Sequence, residues 1–147
     1  KLLTSMRLIF LIFLVAPFAQ IAADGDTDPD SVIEEASAAY NAENYEQAIL
    51  LLEKAVETEP TCAECAHQLG RAYGRLAENT NWVSAIRLAK KSRVAFESAV
   101  ELDPFNAQAL EDLIRFYREA PKFLGGDDEK ADGLERRLLE LRATRTS

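Results

Sequence analysis

Between residues 36 and 60 the apolar positions fall into two runs of helical period, broken at Ala42-Glu43-Asn44. In the second run Ala48, Leu52 and Ala55 stand at i, i+4 and i+7, with Ile49 and Val56 beside them. Pro60 then ends the helix, because it has no amide proton to donate. The pattern predicts helices over about Pro29–Ala42 and Tyr45–Thr58, with Asp28 or Asp30 capping the first. The ending is used twice: Val94 to Pro104 repeats Leu51 to Pro60 almost residue for residue. A third helix follows Cys65, with Leu69, Ala72, Tyr73 and Leu76 facing inward. Thr80 or Asn81 then caps a long helix from Trp82 to Leu102, and Trp82 is expected to close over it as a structural lid. Asn106 caps a fifth helix whose inner face carries Ala109, Leu110, Leu113, Ile114, Phe116 and Tyr117. After a bent linker, Ala120 to Asp127, the last helix is predicted over about Glu129–Ala143. Ala131, Leu134, Leu138 and Leu141 lie on its inner side, and Thr144 to Ser147 should fray.

Ala36, Tyr40, Tyr45, Ala48, Leu52, Ala55 and Pro60, followed by Leu69-Gly70-Arg71-Ala72-Tyr73, resemble the signature of the tetratricopeptide repeat (TPR). The small positions Ala36 and Gly70 are 34 residues apart, which is the period of that repeat. Pro60 and Pro104 are 44 apart, so about ten additional residues sit inside the second unit. Over residues 29–143 the resemblance implies an all-α, right-handed α-solenoid of three helical hairpins, six helices in total, with an extended second helix in the second repeat.

Composition narrows the function classes. The chain has 147 residues, 48% of them apolar, and a net charge of −8. That balance argues against general nucleic-acid binding, which needs a basic face to neutralise phosphates. The charge is unevenly spread. Lys54 is the one base from Asp24 to Glu64, whereas Arg71, Arg75, Arg87, Lys90, Lys91 and Arg93 make the next stretch locally basic.

At the amino end, Met6-Arg7 precedes the apolar run Leu8 to Ala16, then Pro17 and the small-residue stretch Ile21-Ala22-Ala23. This reads as a secretory signal peptide over residues 1–23, cut after Ala23, followed by an acidic lead-in at 24–28. The run is too short and too interrupted for the ~20 apolar residues of a membrane span. The mature chain is therefore expected in the periplasm or outside the cell, with no stable span in a membrane.

Few residues are arranged for chemistry. Cys62-Ala63-Glu64-Cys65 is a C-x-x-C at the start of a helix, a spacing that admits a structural disulfide, an idle thiol pair or a redox function. No strand pattern precedes it, as a thioredoxin-like site requires. His67 does not directly follow Cys65, as haem attachment requires, and i, i+3 and i+5 do not share a helical face for zinc. Gly125-Gly126-Asp127-Asp128 lacks the lysine of a phosphate loop and reads as a turn and helix cap. No catalytic residue, metal or cofactor is assigned.

What remains is the hollow side of the stack. By resemblance to TPR proteins, the residues one, four and five beyond each small site point into the concave groove. These are Ser37, Tyr40 and Asn41, then Arg71, Gly74 and Arg75, then Arg115, Arg118 and Glu119, with His67 and Asp112 one layer earlier. From these the candidate peptide-binding residues are Tyr40, Asn41, His67, Arg71, Arg75, Asp112, Arg115 and Arg118. The four arginines suit an acidic segment of a partner protein, in the manner of carboxylate-clamp TPR grooves. Ser37 stands where that pattern has an amide. Alternatively the arginines pair with acids inside the stack, such as Glu64, Glu111, Asp112 and Glu119. The function implied is a non-catalytic interaction scaffold. A thiol-disulfide helper acting through Cys62 and Cys65, and a self-assembling structural module, are the other readings.

Overall fold

The chain forms α1 (Pro29–Asn41), α2 (Tyr45–Thr58), α3 (Ala63–Glu78), α4 (Trp82–Leu102), α5 (Ala107–Glu119), a 3-10 turn (Lys122–Leu124) and α6 (Asp128–Arg145). This computed structural model describes residues 28–145. The proposed signal peptide, its cleavage point and the lead-in before Asp28 lie outside the described residues.

Short polar side chains set the helix starts by accepting otherwise unpaired amides of the first turn. Asn44 accepts from Gln47 N, Asn81 from Ser84 N, and Asn106 from both Gln108 N and Ala109 N. Asp28 caps α1, where Pro29 occupies the first turn. Asp127 accepts from the amides of Glu129 and Lys130, so the Gly-Gly-Asp-Asp stretch is the turn and cap expected. Gly126 there lies so close to the Ala120 carbonyl that a β-carbon has no room. Between α1 and α2 the turn residue Glu43 is left-handed (φ 60°). Its amide donates to Tyr40 O at 3.0 Å, and the Asn44 amide donates to Ala39 O at 2.9 Å, closing off the end of α1.

The helices pair as three antiparallel hairpins, α1–α2, α3–α4 and α5–α6, stacked in chain order. Two apolar clusters run through the stack. The first joins Ala36, Ala48, Leu52, Leu69, Tyr73 and Ala95, and the second joins Phe96, Ala99, Leu110, Leu113, Tyr117 and Leu138. They meet within the α3–α4 hairpin, where Ala95 and Phe96 turn to opposite sides.

That junction is tight. A β-carbon on Gly70 would come within 2.6 Å of the Phe96 ring, and the buried Ser92 hydroxyl donates to Gly70 O at 2.8 Å. A polar link also recurs. Tyr73 of α3 donates to Glu53 of α2, and Tyr117 of α5 donates to Glu97 of α4 at 2.6 Å. Both members are displaced by the same 44 residues that separate Pro60 from Pro104. Each bond ties a hairpin to the one before it.

The sequence expected Trp82 as a lid, and the structure corrects this: Trp82 is 75% exposed. It is the first residue of α4, where it flanks an apolar hollow shared with Ala85, Ile86 and Phe123 instead of covering it.

Enlarging Gly70 should therefore overpack the junction. Gly70→Leu is expected to destabilise the fold by about 1–3 kcal/mol or more in urea unfolding. Gly133→Ala, on α6 with nothing nearer than 3.8 Å to the new methyl, should stabilise it by about 0.5–1 kcal/mol.

Candidate functional site

The first helices of the three hairpins line a groove of about 830 Å³ on the hollow side of the stack. Seven of the eight sequence candidates border it: Tyr40, Asn41, His67, Arg71, Arg75, Asp112 and Arg115. Arg118 does not. It turns to α6 and pairs with Asp132 at 2.5 Å, Glu135 at 3.1 Å and Asp128 at 3.4 Å. The hydrogen bonds to Asp132 and Glu135 raise its pKa further above an already high value. Arg118 holds the last hairpin closed because α6 brings these three acids against it.

The three groove arginines are held in different ways. The Arg71 guanidinium lies 4.9 Å from the centre of the Tyr40 ring and donates to Gln68 Oε1 at 3.0 Å. Arg75 lies 5.9 Å from the Tyr45 ring centre and pairs with Glu78 at 2.6 Å. Stacking engages the flat face of a guanidinium while its N–H donors radiate in the plane. Arg115, 62% exposed, pairs with Asp112.

His67 is the buried member. It is 2% exposed, and its Nε2–H donates to Asp112 Oδ2 at 2.8 Å, a bond between α3 and α5 beneath the groove. Its other nitrogen, Nδ1, is buried with Glu64 Oε2 at 3.9 Å, too far for a hydrogen bond but close enough to act as a charge. Burial opposes a proton on the ring, yet the carboxylates of Asp112 and Glu64 outweigh it, so the pKa of His67 is raised. At Asp112 burial pushes the pKa up, but His67 and Arg115 more than offset it and the net shift is downward.

Several wall residues were not among the candidates: Glu43, Glu78, Gln108, Glu111, Phe116 and Glu119. Most were within reach of a simple extension. Glu78 stands seven residues after Arg71 on the same face of α3, and Gln108, Glu111 and Arg115 follow i, i+3, i+7 along α5. Toward the carboxyl ends of α3 and α5 the groove continues into an apolar annex of about 480 Å³. Gly74, Glu78, Ser92, Phe116 and Glu119 border both spaces, and the exposed Trp82 and Phe123 flank the annex. Neither aromatic was assigned to the site from sequence, because one lies on inserted turns and the other in the linker.

Cys62 and Cys65 are joined in a disulfide. The Cys62 sulfur also caps α3 by accepting from Cys65 N at 3.1 Å, and Cys65 is fully buried. Among the described residues no three His, Cys, Asp or Glu side chains converge as metal ligands would.

No protein-family model matches the chain, and no curated protein matches it. Solved structures do. MamA of Desulfovibrio magneticus RS-1, solved as an ArsTM double mutant, is 19% identical with a TM-score of 0.63, covering 81% of this chain and 58% of that one. A human IFIT1 dimer with PPP-AAAA is 27% identical with a TM-score of 0.66, covering 76% of this chain and 25% of that one. A monomeric IFIT1 mutant with Gppp-AAAA is 24% identical at a TM-score of 0.63 over the same shares. The chain has the TPR-type solenoid fold. It spans just over half the length of the MamA chain and a quarter of IFIT1.

The buried and covalent links can each be measured by their effect on stability. The folded pKa of His67 lies above its unfolded value, so its contribution is full below about pH 6.5 and is lost as pH rises through the folded pKa. The denaturation midpoint should therefore fall between pH 6 and pH 8.5, and His67→Gln should remove that component of the fall. Asp112→Ala should cost about 1–3 kcal/mol at pH 6 by depriving a buried ring of its partner. Reducing the disulfide opens only a very short loop, so chemical denaturation with and without reductant should differ by about 2 kcal/mol or less, with helicity retained.

Proposed function

We propose that the protein is an exported, non-catalytic scaffold that holds an acidic segment of a partner protein in the concave groove. The observation that carries this is the set of three arginines on two adjacent helices, two of them held within cation–π reach of tyrosines, facing one preformed hollow. That contact limits the rotamers of these long side chains before the partner arrives, so less entropy is lost per hydrogen bond formed. Carboxylates of the segment would meet the in-plane donors of Arg71 and Arg115. An aromatic or aliphatic residue further along would enter the annex between Trp82 and Phe123.

The disulfide supports export, since such bonds persist in oxidising compartments. A polyphosphate or RNA ligand of the kind named for the IFIT1 structures is disfavoured here. Glu43, Glu111 and Glu119 in the groove wall oppose any anion in proportion to its charge, so they weigh more against a polyphosphate than against a segment carrying a few carboxylates.

The test is a photocrosslinker placed at Gln108, used to capture the partner from an envelope or secreted fraction. Arg71→Glu with Arg115→Glu should weaken capture by about tenfold or more with unchanged helicity. Undiminished capture by that folded variant would overturn the groove assignment.

A further inference from the structure

A second groove, of about 650 Å³, opens on the outer side of the stack. Its floor is Leu69 and Tyr73 of α3, with Val56 of α2 on one wall and Val83, Ile86 and Val94 of α4 on the other. Val83 and Val94 are 60% and 56% exposed, an unusual placement for β-branched apolar residues on a helix. With Ile86, Arg87 and Lys90 they make one stripe along α4 at i, i+3/i+4, i+7 and i+11.

Cations rim this apolar floor. Lys91 is anchored, bonding Glu53 at 3.1 Å and the Tyr73 hydroxyl at 3.2 Å. Arg87 and Lys90 make no hydrogen bond or ion pair with any described residue. No carboxylate occurs from Trp82 to Val94, in a chain whose net charge is −8. An apolar trough beside unpaired bases is complementary to a surface that is apolar on one side and acidic on its flanks.

We propose that this outer groove docks an acidic amphipathic helix of a partner protein, at a site separate from the concave groove. Two helices form the walls and a third the floor, which is the seat an added helix occupies in any helical stack. The apolar face of the incoming helix would cover Val83, Ile86 and Val94, while its flanking carboxylates would meet Arg87 and Lys90. An anionic lipid surface would meet the same cations, but it is broad and flat, whereas the trough is recessed between α2 and α4 with its floor on α3.

The proposal is tested with the full mature chain and a fluorescent synthetic peptide of about 16 residues. The peptide carries leucines at i, i+3, i+4 and i+7 spacing with glutamates on both flanks. A peptide of equal composition but scrambled order is the control. Anisotropy titration should show saturable binding at least about tenfold tighter than the control. Arg87→Glu with Lys90→Glu, and separately Val94→Asp, should each lose about tenfold, whereas Arg71→Glu with Arg115→Glu should leave this binding unchanged. If the charge reversal impairs folding, Arg87→Gln with Lys90→Gln replaces it. Equal affinity for both peptides overturns the proposal, as does loss of binding only in the concave-groove variant. Two further results would overturn it when the peptide fails to bind: Arg87- and Lys90-dependent binding to phosphatidylglycerol vesicles, or dimerisation through the same residues in sedimentation.

Discussion

At Gly70 the backbone of α3 is covered directly by the Phe96 ring, and that close approach governs how the other helices are placed. It allows α4 to lie along α3 at the centre of the stack, with Ser92 bonding the same backbone carbonyl. Because Ala95 and Phe96 face opposite ways from this contact, one helix closes the apolar interior of both neighbouring hairpins. A bulkier residue at position 70 would part α3 from α4 and open both clusters together. The groove depends on the same spacing, since Arg71 and His67 are carried on the helix face adjoining Gly70.

Much of the fold was legible because each element announces itself by local chemistry. Asn44, Asn81 and Asn106 mark starts, Pro60 and Pro104 mark stops, and α2 and α4 occupy the spans that the pattern predicts. Gly70 sits where the two helices of the middle hairpin approach, and Ala36 is buried in the first apolar cluster. The site was less legible. Spacing identifies the face of a helix but not which neighbour claims a side chain on that face. Arg118 belongs by spacing to the groove, yet the acids of α6 draw it away. His67 borders the groove, but spacing alone does not reveal that Asp112 meets it there and leaves it almost wholly buried. Trp82 went astray for a different reason: large aromatics usually bury, whereas the path of the inserted turns leaves this one exposed at the rim of the annex.

The charge distribution that composition reports as a single negative number resolves into distinct surfaces. On the hollow side arginines and glutamates alternate, and several are already engaged with one another. On the outer side Arg87 and Lys90 stand unneutralised beside apolar residues. The ten-residue insertion contributes to both, since its extra turns carry Trp82 toward the annex and Val83 toward the outer trough.

The tyrosine–glutamate bonds that recur between hairpins give the stack a direction. Each runs from the first helix of one unit to the second helix of the unit before it, so its two halves never reside in the same hairpin. An excised middle hairpin would lose both bonds, yet it would keep a partner for each group on its own α4, Lys91 for the Tyr73 hydroxyl and Arg93 for the Glu97 carboxylate. The cations of α4 thus hold each half of the link in place before the neighbouring unit completes it.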